Sequence, residues 1–406
     1  MDGSSVMKKS ILGIIAVLIC LGCADQANAE TSKRGSNALD SSNTLVTVHS
    51  EKQAFTVIPI IQGLNHPWSL AFLPDDAGYL ITQRSGELLL IRNGQPTEVS
   101  GVPEVAAVGQ GGLLDLALSP GFIEDHLVYM SFAEEKSGLY GTAIARGKLL
   151  IPSGDGKPRL ENLKIIYRAL PRSKAIQHFG SRLVFDKQGY LYVTLGERAA
   201  MRRAQDATDP YGSVLRLNSD GTIPPDNPFA PDGISPGAGD GAIWSYGHRN
   251  AQGLARHPLS GDIWLHEHGP KGGDELNIVK KGANYGWPKV TYGINYDGSI
   301  ISTRTTATGI ENPITYWVPS IAPSGLTFYQ GEPFPNWQGD IFLGALAGRH
   351  LRRLELRGNQ VVRQEVLLLN QLGRIRDVRN GPDGLLYLLT DEARGGLYQL
   401  KPLDTD

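Results

Sequence analysis

Several polar residues in this chain fall at comparable points of a repeated pattern, and together they describe one kind of chemistry. Gln110 lies in Gly109-Gln110-Gly111-Gly112, His178 follows Gln177, Arg249 precedes Asn250, and Arg374 and Arg376 alternate on a strand-like stretch. Glu197, the run His266-Glu267-His268 and Asp391 stand where loops leave a following strand. Each has a plain structural reading alone: Gln110 as a turn residue, His178 as a hydrogen-bonded structural histidine, Arg374 and Arg376 as partners of Asp377 or Asp391. Gathered at one mouth, however, Gln, His, Asn and three arginines are an unusual lining for a structural channel. Converging guanidinium groups predict an anionic ligand with several carboxylates, because Arg forks carboxylate oxygens through paired hydrogen bonds.

A second constellation is Glu267-His268-Gly269-Pro270-Lys271-Gly272-Gly273-Asp274-Glu275, followed by Asn284-Tyr285-Gly286-Trp287-Pro288. A tight turn at Gly269-Pro270 exposes backbone carbonyls, and Asp274 lies within loop reach. Carbonyls with one or two carboxylates make a hard-oxygen site suited to calcium. Zinc is the rival on account of His266 and His268, but no cysteine or further close histidine completes a tetrahedral set. An Asp-capped, Gly-rich turn without metal is the plain alternative.

The elements that would bring these residues together are six copies of one phrase: an apolar triplet, a turn, then an apolar-aromatic strand. They read Leu70-Ala71-Phe72 with Leu80-Ile81-Thr82, Leu116-Ala117-Leu118 with Leu127-Val128-Tyr129, and Leu183-Val184-Phe185 with Leu191-Tyr192-Val193. Leu254-Ala255-Arg256 with Ile263-Trp264-Leu265, Leu326-Thr327-Phe328 with Ile341-Phe342-Leu343, and Val378-Arg379-Asn380 with Leu386-Tyr387-Leu388 complete the set. Copies start roughly 45–70 residues apart, a period of β-arrays. Turn residues such as Asp186…Gly189 and Pro382-Asp383-Gly384 separate the halves. A blade buries its faces only against neighbouring blades, so the expected fold is all-β, a six-bladed propeller of four-stranded antiparallel blades. Loops leading into equivalent innermost strands then meet around one mouth.

Composition agrees with that reading. The 406 residues include 49 glycines and 25 prolines, spread as many tight turns require and not gathered in a low-complexity tract. Net charge is −2 with the signs interspersed, so nothing speaks for a nucleic-acid partner. Lys8-Lys9 before the apolar run Ile11 to Leu21 reads as a signal peptide over residues 1–29, with Ala27-Asn28-Ala29 as a small-x-small cleavage site. Leu21-Gly22-Cys23 offers a competing lipoprotein signal ending at residue 22, with membrane attachment only if Cys23 is lipidated. A flexible segment over 30–54 and a propeller domain over 55–406 are expected to follow, in an exported, periplasmic protein. Both cysteines, Cys20 and Cys23, precede the domain, which therefore has no disulfide and no thiol chemistry.

Trp244-Ser245-Tyr246-Gly247-His248-Arg249-Asn250-Ala251-Gln252-Gly253-Leu254, the Gly269-Pro270…Asp274-Glu275 loop and Asn284–Pro288 resemble the PQQ-dependent soluble glucose and aldose sugar dehydrogenases. So do Gln110-Gly111-Gly112-Leu113-Leu114, His178…Ser181-Arg182-Leu183, Leu217–Pro224 and Arg374-Ile375-Arg376-Asp377, over about residues 60–400. The nearer likeness is to the aldose branch. The resemblance implies oxidation of an aldose at C1 to the lactone, with electrons passed to an external acceptor, by a monomer or homodimer. It implies His178 as the base that takes the C1 hydroxyl proton, Glu197 as the carboxylate orienting it, and Arg249 as the cation where negative charge develops. It further implies Gln110, His178, Arg249, Asn250, Arg374 and Arg376 around PQQ, and calcium held by the Gly269 and Pro270 carbonyls with Asp274, near Tyr285. This chain departs from the pattern at Leu346-Ala347-Gly348-Arg349, where a cofactor-binding lysine is usual, and at Gly212-Ser213. Arg198-Ala199-Ala200-Met201-Arg202-Arg203 beside the mouth is also unfamiliar. A calcium-dependent lactonase and a non-catalytic extracellular binding propeller are the alternatives.

Overall fold

Each repeated phrase is the inner half of a β-sheet, and six such sheets close into a ring. The structure is a computed structural model that describes residues 46–154 and 156–403. The innermost strands are Pro67–Phe72, Leu113–Leu118, Leu183–Phe185, Ala251–Arg256, Pro323–Phe328 and Ile375–Asn380. Each pairs antiparallel with the next strand in the chain, and five of the sheets continue outward to four strands in sequence order. Neighbouring innermost strands touch in that same order, the sixth returning to the first, which closes the propeller.

The turns between the first two strands of a blade follow from side-chain caps. Asp186 Oδ1 accepts from the backbone N–H of Gln188 at 3.0 Å and of Tyr190 at 2.9 Å. Asp125 and Asp383 bind the N–H of Leu127 and Leu385 in the same way. These short polar side chains satisfy turn amides locally, and the apolar strand on either side fixes the register.

The ring is closed by the two ends of the described chain. Ala54–Leu64 pairs antiparallel with Gly395–Pro402 as the outer part of the sixth blade, with Val57 opposite Leu400 and Ile61 opposite Leu397. Val46–His49 then pairs with the start of Ala54–Leu64, so this blade has five strands. Residues 46–49 thus form an edge strand inside the 30–54 stretch expected to be flexible: alternate residues Val46 and Val48 pack on the core, which period-2 burial allows. The signal-peptide and lipoprotein readings lie outside the described residues. Among the described residues no helix is long and apolar enough to cross a membrane.

The core lies between blades. Leu80, Leu90, Leu113, Leu116, Val128 and Met130 from the first two blades form one cluster. Phe55 packs edge-on against Phe334 and Trp337, which stack on each other, and Phe342 is tilted against Trp337, where the fifth and sixth meet. Each such buried side chain contributes about 1.5–3 kcal/mol, so blade-to-blade packing holds the ring rigid around its axis.

Candidate active site

The loops that lead into the innermost strands, and those that leave the second strands, surround a cavity of about 220 Å³ at one end of the axis. Gln110, Asn250, Arg374 and Arg376 all line it, from three blades. Phe179 and Gly180, which follow His178, line it too, as do His268 and Asp391. His178, Glu197 and Arg249 stand at its edge, joined to the lining by backbone hydrogen bonds. The His178 N–H donates to Gln110 Oε1 at 2.8 Å, the Glu197 N–H to the Arg249 carbonyl at 2.9 Å, and the Gly180 N–H to Asn250 Oδ1 at 3.1 Å. The residues expected around the cofactor, with Glu197, are therefore one contiguous constellation.

Those contacts settle how two amides face. Gln110 and Asn250 each turn the carbonyl oxygen toward a backbone donor, so each has its NH2 group left to offer. Arg84, Arg374 and Arg376 add guanidinium groups, against the single lining carboxylate of Asp391. Arg84 makes no side-chain hydrogen bond among the described residues. Arg374 Nη1 donates to the Leu346 carbonyl at 3.2 Å. Arg376 donates to Asp391 at 2.5 Å, to Gln252 Oε1 at 3.0 Å and to Ser324 Oγ at 3.2 Å. Burial pushes the Asp391 carboxyl upward, but the Arg376 charge and the hydrogen bonds from Arg376 and His66 outweigh it and hold it below the usual range. With Trp68 and Phe179 as aromatic surfaces, the cavity suits a flat ligand bearing several anionic oxygens.

His178 has a defined tautomer. Its Nδ1 lies 3.0 Å from Oε2 of Glu197, a carboxylate that can only accept, so Nδ1 carries the proton and Nε2 is left as a base. Glu197 is buried, and the His178 side chain is 13% exposed. Gly196 makes the pairing possible. A Cβ there would lie 2.3 Å from the His178 carbonyl oxygen and 2.8 Å from Asn250 Oδ1, so only glycine lets the two loops approach.

Arg249 is tethered from several sides. Nη1 donates to the carbonyls of His268 and Gly269, each at 3.0 Å, and its backbone N–H donates to Glu267 Oε2 at 2.5 Å. The other oxygen of Glu267 binds His248 Nδ1 at 2.8 Å, and the His248 ring stacks on Tyr285. The loop histidines are committed elsewhere: His266 donates to the Gly325 carbonyl and His268 to that of Pro323. Burial lowers the pKa of both, to about 3 for His266, so they are neutral. Only His268 reaches the cavity. No set of three His, Cys, Asp or Glu side chains able to hold a metal occurs among the described residues.

Several of the oxygens expected to hold calcium have protein partners. Asp274 uses both oxygens on the loop around it, accepting from the N–H of Gly269, Ile321 and Ala322 and from the Ser320 hydroxyl at 2.7–3.0 Å. Burial pushes its carboxyl up to about 6. The Gly269 carbonyl accepts from Arg249, and the Tyr285 hydroxyl donates to the Ile278 carbonyl at 2.5 Å. Pro270 is buried in the same turn. Asp274 braces this loop through four donors. Glu267 and Glu275 lie beside this loop, and both oxygens of Glu267 are already taken by His248 and the Arg249 N–H. The two glutamates face each other across adjacent strands and line a small void with Gly269, Tyr285 and Thr291. Glu275 accepts only a 3.3 Å bond from Asn277, and burial followed by the Glu267 charge raises its carboxyl well above the usual range.

Sequence reasoning missed Trp68, Arg84 and Tyr296 as lining residues. Arg84 was within reach, because it follows the second strand Tyr79–Gln83 as Asp391 follows Leu386–Thr390. Leu346 is the lining residue at the corresponding point of the fifth blade, where Arg349 is exposed and outside the lining. Tyr296 comes from a long insertion in the fourth blade that no repeat register covers.

The sequence pattern of the Glucose / Sorbosone dehydrogenase family matches residues 64–399. The chain is similar to aldose sugar dehydrogenase YliI of Escherichia coli (strain K12), at 44% identity over 84% of this chain and 91% of that one. A solved glucose dehydrogenase shares 48% identity with a TM-score of 0.80, covering 85% of this chain and 99% of its own. The PQQ-bound aldose sugar dehydrogenase from Streptomyces coelicolor shares 29% identity with a TM-score of 0.69, covering 86% and 98%.

Proposed function

This chain belongs to the glucose/sorbosone dehydrogenase family and is an oxidoreductase of sugars, and from that premise we propose that it oxidises aldoses at C1 to the lactone with PQQ held in the arginine-lined cavity. The observation that carries the reading is the His178–Glu197 pair, set at the edge of a cavity that offers several cations and amide donors and one carboxylate.

When bound, PQQ supplies the two-electron hydride acceptor that the protein's side chains lack. His178 Nε2 takes the proton of the C1 hydroxyl while the C1 hydride leaves, so the carbon is oxidised by two electrons and the proton stays on the protein. Glu197 keeps that nitrogen bare beforehand and stabilises the imidazolium afterwards. Arg249, tethered by two carbonyls, holds a fixed positive charge beside Asn250, where developing negative charge is stabilised without reorganisation. Gln110, Asn250, Arg374 and Arg376 bind the anionic oxygens of the cofactor. The electrons pass to an external acceptor. Calcium, in this reading, is held at Glu275, whose carboxylate accepts only the 3.3 Å bond from Asn277 among the described residues. Export to the periplasm belongs to the same reading and is supported by the N-terminal segment.

The test is titration of the purified apoprotein with PQQ and calcium, followed by aldose-dependent reduction of an artificial dye and identification of the product. Saturable PQQ binding with lactone formation is expected. Bound PQQ with no oxidation across a broad panel of aldoses would overturn the reading.

A further inference from the structure

Arg198 directly follows Glu197 and is 1% exposed, yet it pairs with no carboxylate among the described residues. Its guanidinium instead donates Nη1 to the Gln177 carbonyl and Nη2 to the Ala175 carbonyl. The same group lies face-on over the Phe179 ring, 3.4 Å from its centre. Nε has no partner. Taking an unpaired guanidinium out of water is costly, and burial accordingly lowers its pKa to about 10. An apolar side chain would fill this space more cheaply, so packing alone does not account for it.

What the fork does is fix the backbone on both sides of His178. Two carbonyls before it are held by parallel N–H donors, and the ring after it is held by the cation's face. His178 has φ 55°, in the left-handed region that a non-glycine residue occupies only when its surroundings impose it. Arg198 and Ala199 share that region, with φ 59° and 55°, which turns this loop back toward the 175–179 loop. The adjacent residues Glu197 and Arg198 thus act on one histidine at two levels. The carboxylate sets the imidazole, and the guanidinium sets the peptide that carries it.

We propose that Arg198 is a positioning residue for sugar oxidation, holding the loop 175–179 so that His178 Nε2 is presented to the substrate hydroxyl. This rests on the assignment of His178 as the base. Arg198→Gln and Arg198→Lys are compared with His178→Ala, with the double variant Arg198→Gln/His178→Ala, and with wild type. Turnover and KM are measured at saturating PQQ, PQQ affinity by titration of the apoprotein, and the His178 tautomer by ¹⁵N-imidazole spectra of the apoprotein.

Arg198→Gln is expected to lower turnover by roughly 10–100-fold, with KM and PQQ affinity within about threefold of wild type. The His178 signals should change from a single Nδ1–H form to averaged tautomers. Arg198→Lys, which can still reach one carbonyl, should recover part of the loss. The double variant should be no slower than His178→Ala, because the clamp has nothing left to position. Unchanged turnover and tautomer in Arg198→Gln overturn the proposal, as does a loss that multiplies with His178→Ala. A loss that falls equally on PQQ affinity overturns it too, as general support of the cavity. Near-normal turnover in His178→Ala would instead bring down the assignment of the base.

Discussion

Arg182 and Asp377 meet at 2.9 Å, although one opens the third blade and the other belongs to the sixth. Arg182 also reaches Asp115 of the second blade at 3.3 Å, and Arg379 binds both aspartates from the sixth. Asp115 further accepts from Ser69 at 2.5 Å and from the Leu183 N–H at 2.8 Å. The axis is therefore plugged by a saturated charge network under the cavity. Replacing Asp377 by Ala leaves Arg182 buried with its pairing halved, and should destabilise the fold by about 3–5 kcal/mol in urea unfolding. A loss below about 1 kcal/mol would mean that the plug relaxes around water.

His178→Ala should lower turnover by about 10²–10⁴-fold with PQQ still bound, the usual worth of a positioned base. Glu197→Gln should fall between that variant and wild type, since an amide can accept from Nδ1–H but cannot stabilise the imidazolium. Steady-state rates at saturating cofactor check both, with melting curves to show intact blades. Equal losses in the two would give the carboxylate a larger role than orientation.

Arg374 and Arg376 should separate under truncation. Arg374→Ala is expected to weaken PQQ binding and to be restored by excess cofactor. Arg376→Ala should also lower the melting temperature, because it leaves the buried Asp391 carboxylate with His66 as its one side-chain partner among the described residues. The pH dependence has a definite sign. The folded-state pKa of Asp391 is depressed, so its stabilising contribution is complete above its unfolded pKa of about 4 and is lost as pH falls toward the folded value. The difference in melting temperature between wild type and Asp391→Asn should accordingly be largest near neutrality and shrink below about pH 4. A difference that grows on acidification would refute the ion pair.

Asp274 and Glu275 should respond oppositely to calcium. Asp274→Asn replaces an acceptor of several loop donors and should lower the melting temperature equally in calcium and in chelator. Glu275→Gln should remove the calcium-dependent rise in melting temperature, because mass-action stabilisation needs the site. In chelator that variant should be at least as stable as wild type, since it relieves like charge facing Glu267. The reverse pattern would return the cation to Asp274.

The six inner-strand phrases place Gln110, Asn250, Arg374 and Arg376 around one mouth correctly, because the repeat period fixes which loops share an end of a propeller. What the period cannot convey is hydrogen-bond commitment. Asp274 has the residue type and spacing of a cation ligand, and only three dimensions reveal that loop amides and a hydroxyl have taken both oxygens. His266 and His268 likewise alternate on a strand as ligands would, yet both face backbone carbonyls of the next blade. Tyr296 is hidden for the opposite reason: it lies in an insertion, where periodicity has no power. The strand Val46–His49 falls in the stretch expected to be flexible because a four-residue edge leaves little pattern to detect.

The pairing of Ala54–Leu64 with Gly395–Pro402 joins one strand made before all six inner strands with one made after them. Until the second of these two strands exists, the earlier blades form an open arc whose end faces are exposed, and closure must await a contact of very large sequence separation, the slowest kind to form. Arg374, Arg376 and Asp391 lie in the same blade as that second strand, so the ring and the cavity reach completion together. A chain that stops short by one strand would therefore lack a sealed ring, and one cut before Arg374 would lose two of the three arginines that line the cavity as well. A protease would meet either as an unclosed arc.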